Sequence, residues 1–386
     1  MSVKQVAPKL LSWASEIEQG TIDQAARTAR LPFVEGHVAL MPDAHVGLGS
    51  TVGSVVPTRG AVIPSCVGVD IGCGMVASET TLTASDLPAG LDALMPLVSE
   101  RIPSGVGKGH TQPVADDALA ALGKPRTELT GKQERKTGLQ FGTLGSGNHF
   151  VEVCLDERDR VWTVLHSGSR GIGNQLAMKA IAEAKGLMKQ RFISLEDPEL
   201  AYLVQGEPSF ETYIADMLWA QAYAMGSRQV MAKRLLESLF EVVGHGQHVR
   251  TINCHHNFTQ LEHHNGKDLW ITRKGAIKAA AGDEGVIPGS MGTRSYVVTG
   301  LGAPASYTSC SHGAGRRLSR AAARRTLSVD SLHEAMGDRA WNSDAAEQLL
   351  DEHPGSYKDI DRVMADQTDL VTVAHTLSQV FNYKGV

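Results

Sequence analysis

FVEVCL at 150–155 and VWTVLH at 161–166 are short β-rich runs. In the second, period-2 alternation puts Trp162, Val164 and His166 on one face, and His149 directly precedes the first. Similar runs stand at 37–41 (HVALM), 269–275 (LWITRKG) and 294–301 (RSYVVTGL). Apolar spacing at three and four predicts helices over roughly 13–30, 174–192, 211–243 and 357–381. Strands and helices do not alternate regularly, which favours a mixed α+β architecture over a doubly wound parallel sheet. No linker or internal repeat breaks the 386 residues, so one domain, 1–386, is expected. A polar stretch from about Pro103 to Thr137 reads as a surface excursion.

Composition narrows the function classes. With 42% hydrophobic and 20% charged residues, 5 Trp, 7 Tyr and 8 Phe, usage is globular, without the charge-rich, aromatic-poor signature of disorder. The N-terminal MSVKQVAPKLLSWASEIEQG lacks a cationic segment followed by an apolar stretch, so no secretory signal is expected. The most apolar candidate, Gly60 to Val69, falls well short of the roughly 20 residues a membrane span needs, so no membrane partner is expected. Cys66, Cys73, Cys154, Cys254 and Cys310 form an odd set with no CxxC pair, which fits reduced thiols in a cytoplasmic protein better than a disulfide framework. A net charge of −5 offers no global positive field, so a nucleic-acid partner needs a local basic patch.

The unusual counts are 40 Gly and 15 His. They gather at strand ends and turns: MPDAHVGLGS (41–50), GVDIGCGM (68–75), GTLGSGNHF (142–150), LHSGSRGIG (165–173), INCHHN (252–257) and CSHGAGRR (310–317). Glycine lets backbone approach a ligand, so polar side chains between glycines suggest a site held by tight turns. Asp70 and Cys73, three apart, can aim a carboxylate and a thiolate at one locus; the plainer reading is a buried Cys with an Asp capping the turn. Imidazoles from His149, His166 and one of His255 and His256, which point oppositely in extended chain, would complete a set suited to Zn²⁺, Mn²⁺ or Co²⁺. A glycine loop and Arg316, Arg317, Arg320, Arg324 and Arg325 follow His312. On a helix Arg316, Arg320 and Arg324 share a face, either a phosphate-binding surface or a solvated charged one. The turns PGSMG (288–292) and 142–147 could present N–H groups to phosphate, but neither is a P-loop or a GxGxxG fingerprint.

MPDAHVGLGSTVGSVVPTRGAVIP, GVDIGCGM, GTLGSGNHF, LHSGSRGIGN, INCHHN, TRKGA, IPGSMG and SCSHGAGR, in this order over residues 31–385, closely resemble the signature blocks of the RtcB family of RNA-splicing and RNA-repair ligases. Residues 103–139 resemble the family poorly and look short. The resemblance implies an RtcB-like α+β fold and a GTP- and Mn²⁺-dependent ligase acting in RNA repair or tRNA splicing. Such an enzyme joins RNA 3′-phosphate or 2′,3′-cyclic phosphate ends to 5′-hydroxyl ends, through a guanylylated histidine and an RNA 3′-ppG intermediate.

Residue by residue, the family's ligands for two Mn²⁺ ions fall on Asp70, Cys73, His149, His166 and His256, and its nucleophile on His312. Its nucleotide contacts fall on Asn148, Glu152, Ser290, Gly313, Ala314, Gly315, Tyr357 and Lys384, and its RNA-phosphate contacts on Arg170 and Arg320. Asp43 and His45, in another block, are expected to support the site by orienting the groups around them. The main alternative is a metal-dependent cyclic phosphodiesterase or RNA 3′-end processing enzyme, which would need the metal cluster but not His312.

Overall fold

The computed structural model describes residues 3–114 and 117–386. Among these, two sheets organise the chain. The larger has eight strands and runs in the order His248–His255, Gly74–Thr83, Arg160–Ser167, Phe150–Leu155, Val371–Lys384, Ser295–Gly300 and Glu284–Pro288, with Ala340–Trp341 added beside Val371–Lys384. Neighbours are antiparallel except for that short addition. The second sheet has six strands, Lys4–Ala7, Leu10–Ser12, Val38–His45, Val52–Thr58, Lys267–Lys274 and Asn257–His264 in that order. The chain leaves the first sheet at His255 and enters the second at Asn257, so His256 sits at the junction.

Two long helices cover this junction. Arg170–Gln190 buries Ile172, Leu176, Ala177, Ala180 and Ala184, and these pack with Met217, Ala220 and Tyr223 of Pro208–Val243. The spacing of three and four lays each apolar set along one stripe. Pro208 opens its helix where a missing N–H costs nothing, and Gly244, at φ 86, closes it in the left-handed region.

Mixed α+β architecture and the five expected strands are all present, the strands shifted by a few residues at most. Three helices also form, although the first starts only at Gln19, because Leu10–Ser12 is spent as a strand and Trp13 is buried. The helix expected over 357–381 does not exist. That segment holds a short helix, Ile360–Ala365, and then the strand Val371–Lys384. Its apolar spacing also fits a strand paired between Phe150–Leu155 and Ser295–Gly300, and β-branched Val371, Thr372, Val373 and Thr376 favour that form.

Of the surface excursion expected at 103–137, residues 115 and 116 lie outside the described residues. The rest forms helix Asp117–Ala121 and the start of helix Gly131–Gln140. It is tied to the long helix by Thr127 N–H donating to Asp216 Oδ1 (2.9 Å) and Trp219 Nε1–H donating to Gly123 O (3.2 Å). No described helix is long and apolar enough to cross a membrane.

Candidate active site

Strand ends and turns converge where the two sheets meet. Asp70 and Cys73 come from the turn entering Gly74–Thr83, His149 precedes Phe150–Leu155, His166 lies near the end of Arg160–Ser167, and His256 marks the crossover. Cys73 Sγ lies 3.4 Å from His149 Nε2 and 3.2 Å from His166 Nε2. His166 Nε2 is 2.9 Å from His256 Nε2, and His149 Nε2 is 3.0 Å from Asp70 Oδ2. The donors fall into two groups sharing one thiol: Asp70, Cys73 and His149, and Cys73, His166 and His256, with all ligand atoms of a group within 4.8 Å of one another. The neighbouring His255 turns away, its Nδ1 3.0 Å from Gly72 O. Glycine is required beside the cluster, because a Cβ on Gly168 would stand 2.1 Å from Asp70 Oδ1.

This set fits divalent cations. His149 Nδ1 is 3.0 Å from Leu144 O and His166 Nδ1 is 3.1 Å from Asn148 O. Those carbonyls only accept, so each Nδ1 carries the hydrogen and each Nε2 turns a lone pair toward the thiol. Convergent lone pairs on a thiol and three imidazoles repel unless a positive centre joins them. Burial pushes the Cys73 thiol well up, Asp70 adding to the effect, and burial pushes His166 and His256 well down.

His312 stands against this cluster, its ring centroid 4.8 Å from that of His256. Its Nδ1 lies 2.6 Å from Oδ2 of the fully buried Asp43, and its own N–H donates to the same oxygen at 3.2 Å. His45 contacts the backbone of the same residue, with Nδ1 2.9 Å from Asp43 O. The residue at 275 is glycine for two reasons: its φ is 62, and a Cβ there would reach His312 Cε1 at 2.9 Å.

A cavity of about 540 Å³ opens over these groups. It is lined by Asp70, Cys73, His166, His256, His312, Asn148, Glu152, Ser290, the Gly313 to Gly315 loop, Arg320, Tyr357 and Lys384. His149 reaches the cluster from behind this lining. Arg170 also lies off the lining, with Nη1 3.5 Å from His149 Nδ1 and Nε 3.4 Å from Thr143 Oγ1.

Two buried glutamates, Glu152 and Glu352, gather around buried Lys384 beside this cavity. Lys384 Nζ pairs with Glu352 at 2.9 Å, and Tyr357 Oη donates to Glu352 at 2.5 Å. Burial would raise Glu352, yet Lys384 and Arg320 hold it at about 2. Glu152 lacks a dedicated cation, so burial pushes it up to about 8 despite Lys384 nearby.

The arginine face takes a different form from that expected. Helix Arg320–Thr326 begins after Arg316, so the three residues do not share one helix. Their guanidiniums meet on acidic groups: Arg320 lies 2.5 Å from Asp351 and 2.8 Å from Glu352, Arg324 2.6 Å from Asp351, and Arg316 3.3 Å from Glu352. Ion pairing is therefore their state here, with the Arg320 and Arg324 side chains still 48% exposed.

Sequence reasoning did not find Arg228. It is fully buried, and its guanidinium donates to Gly72 O (2.7 Å), Ser167 O (3.0 Å) and Asn253 Oδ1 (3.1 Å). A lone Arg within a long helical pattern gives no local signal. Lys274 and Asn257 lay inside the quoted blocks without a role. Asn257 Nδ2–H donates to Asp70 O at 3.1 Å, and its Oδ1 accepts from Gly275 N–H at 2.9 Å.

A family model described as tRNA-splicing ligase RtcB matches residues 24–127 and 120–385. The chain belongs to the RtcB family. It is similar to the RNA-splicing ligase RtcB of Escherichia coli (strain K12), 42% identical over 405 residues spanning 100% of this chain and 99% of that relative. It is also similar to the tRNA-splicing ligases RtcB of Archaeoglobus fulgidus, 30% identical over 93% of this chain and 88% of the relative, and Aeropyrum pernix, 29% identical over 89% and 86%. The two RtcB matches overlap at 120–127, so the family model spans the whole of 103–139, the stretch expected to resemble the family poorly.

Proposed function

We propose that this RtcB-family chain is a cytoplasmic RNA ligase that joins 3′-phosphate or 2′,3′-cyclic phosphate ends to 5′-hydroxyl ends at the expense of GTP, in RNA repair or tRNA splicing. The observation that carries the reading is His312, its Nδ1 engaged by buried Asp43 and its ring set against the donor cluster. The phosphodiesterase alternative needs the donor cluster but not a nucleophilic His312.

Asp70, Cys73 and His149 would hold one divalent cation, and Cys73, His166 and His256 a second. When bound, the cations, Mn²⁺ in the family reading, neutralise phosphate charge and polarise phosphorus. The chain's own residues do the rest. Asp43 keeps the proton on His312 Nδ1, leaving the Nε2 lone pair as nucleophile toward the α-phosphorus of GTP, with pyrophosphate leaving. Asp43 also steadies the positive charge that develops on the ring. Asn148, Glu152, Ser290, the Gly313, Ala314 and Gly315 loop, Tyr357 and Lys384 would hold the nucleotide, and Arg170 and Arg320 the RNA phosphates, Arg320 by exchanging Asp351 for phosphate.

A cyclic end is first opened to a 3′-phosphate. An oxygen of that phosphate then takes GMP from His312, giving RNA 3′-ppG, and the 5′-hydroxyl displaces GMP. Purified protein incubated with Mn²⁺ and α-labelled GTP tests this on a denaturing gel. Label retained by wild type and lost in His312→Ala supports the ligase; no label on either, with bound metal verified, leaves the phosphodiesterase.

A further inference from the structure

Asp43 is fully buried, yet its two carboxylate oxygens are served unequally. Oδ2 accepts the backbone N–H of His312 and faces its ring Nδ1, while Oδ1 has no hydrogen-bond partner among the described residues. A buried carboxylate so placed is costly unless positive charge lies near it. Lys358 brings that charge. Its Nζ donates to Ala44 O at 2.7 Å and Pro42 O at 3.2 Å, the carbonyls on either side of Asp43, and to Glu16 O at 3.3 Å. All three acceptors are main-chain oxygens, so the ammonium fixes backbone rather than a partner side chain. Burial pushes it below its usual value, and the charge of Asp43 opposes that push.

The backbone of Lys358 reaches the other half of the pair. Its N–H donates at 2.9 Å to Gly315 O, in the loop that follows His312. Gly315 lies so close to Asp43 that a Cβ on it would stand 2.2 Å from Asp43 O. Lys358 therefore fastens both sides, the strand Val38–His45 through its side chain and the His312 loop through its main chain. It takes no part in lining the reactive cavity. It lines another, of about 680 Å³, which shares no residue with the first.

We propose that Lys358 is a positioning residue for guanylylation, its ammonium holding Asp43 in register with His312 Nδ1 and so setting the rate at which His312 attacks GTP. The proposal rests on the ligase reading and adds to it a residue outside the nucleotide and metal sites. In that step Nε2 forms its bond to the α-phosphorus as the bond from that phosphorus to the pyrophosphate oxygen breaks. Pyrophosphate leaves with the electron pair, and the Nδ1 proton stays on the ring, against Asp43. A carboxylate displaced by a fraction of an ångström loses this alignment. Sealing starts from RNA 3′-ppG, in which His312 is no longer bonded to GMP, so it does not draw on Lys358.

The test uses Lys358→Met, which keeps the stem and removes the ammonium, and Lys358→Arg, which keeps a cation, in the full-length protein with Mn²⁺. Three quantities are read: the single-turnover rate of protein–GMP formation, the GTP concentration that half-saturates it, and the rate of sealing pre-made RNA 3′-ppG to a 5′-hydroxyl strand. In Lys358→Met adduct formation is expected to slow on the order of tenfold to a hundredfold, with GTP half-saturation and sealing at wild-type values. Lys358→Arg should form adduct faster than Lys358→Met and also seal normally. An unchanged adduct rate in Lys358→Met overturns the assignment and leaves the ligase standing. A matched fall of adduct formation and sealing in both variants also overturns it, since a merely structural lysine does not single out the step that uses His312. Wild-type protein that forms no adduct overturns the ligase reading, and this assignment with it.

Discussion

His312 Nδ1 stands 2.6 Å from Oδ2 of Asp43, a carboxylate with no exposed surface. Burial alone would raise that carboxyl, but His312 beside it, bonded to it through Nδ1, holds it below the usual range. An ionised Asp43 fixes which ring nitrogen keeps the hydrogen. Asp43→Asn is nearly isosteric but favours the opposite tautomer, so adduct formation with GTP is expected to slow on the order of a hundredfold or more. GTP affinity should change little. Single-turnover labelling and a GTP titration separate the two, and an unchanged labelling rate removes Asp43 from the reaction.

The shared thiol predicts a pattern of metal loss that needs no activity assay. Cys73 belongs to both donor groups, His149 to one and His256 to the other. After loading with Mn²⁺ and desalting, metal per chain should fall by half in His149→Ala and in His256→Ala. In Cys73→Ala nearly all of it should be lost, because each remaining group keeps only two donors. Equal retention in Cys73→Ala and His149→Ala would show that the thiol bridges nothing.

These two sites differ in how far the sequence disclosed them. The cluster of Asp70, Cys73, His149, His166 and His256 was legible because glycine-flanked His, Asp and Cys stand out against any background, and because adjacent His255 and His256 must point apart. Asp43 carried the right block but no visible partner, since the contact joins positions 43 and 312 across the fold. The 357–381 segment misled for a different reason: the apolar spacing of the true helix Ile360–Ala365 ran on into the strand Val371–Lys384, whose alternation is interrupted by register shifts at Ala374 and Val380. The arginine face misled because helix geometry was assumed for Arg316, and because Asp351 and Glu352 lie more than twenty-five residues from the arginines they bind.

Arg228 ties the turn that carries Asp70 and Cys73 to the strand that supplies His166. Its donors satisfy Gly72 O and Ser167 O, both buried. Burial lowers its guanidinium to about 10, still charged at neutral pH. Arg228→Met keeps the apolar stem but removes the guanidinium from Ser167 O and Asn253 Oδ1, each worth about 1–3 kcal/mol when unsatisfied, while Gly72 O keeps His255 Nδ1 at 3.0 Å. A loss of about 3 kcal/mol in urea unfolding is expected, with weaker Mn²⁺ retention. Wild-type stability would mean that water replaces the guanidinium without cost.

Glu152 gives a pH signature. Its folded value, about 8, lies above the 4.5 of the free side chain, so the folded chain keeps a proton that the unfolded chain loses. Its contribution to stability is therefore whole below about 4.5, falls as pH rises through the window, and is gone above about 8. Glu152→Gln copies the protonated form, and its amide oxygen can still accept from Asn382 Nδ2, which donates to Glu152 at 2.7 Å. Measured by urea unfolding in one metal buffer, the Gln variant should match wild type at pH 5. By pH 8 it should exceed wild type by on the order of 2 kcal/mol. A constant difference across that range would mean that Glu152 is ionised throughout, with Lys384 serving it as well as Glu352.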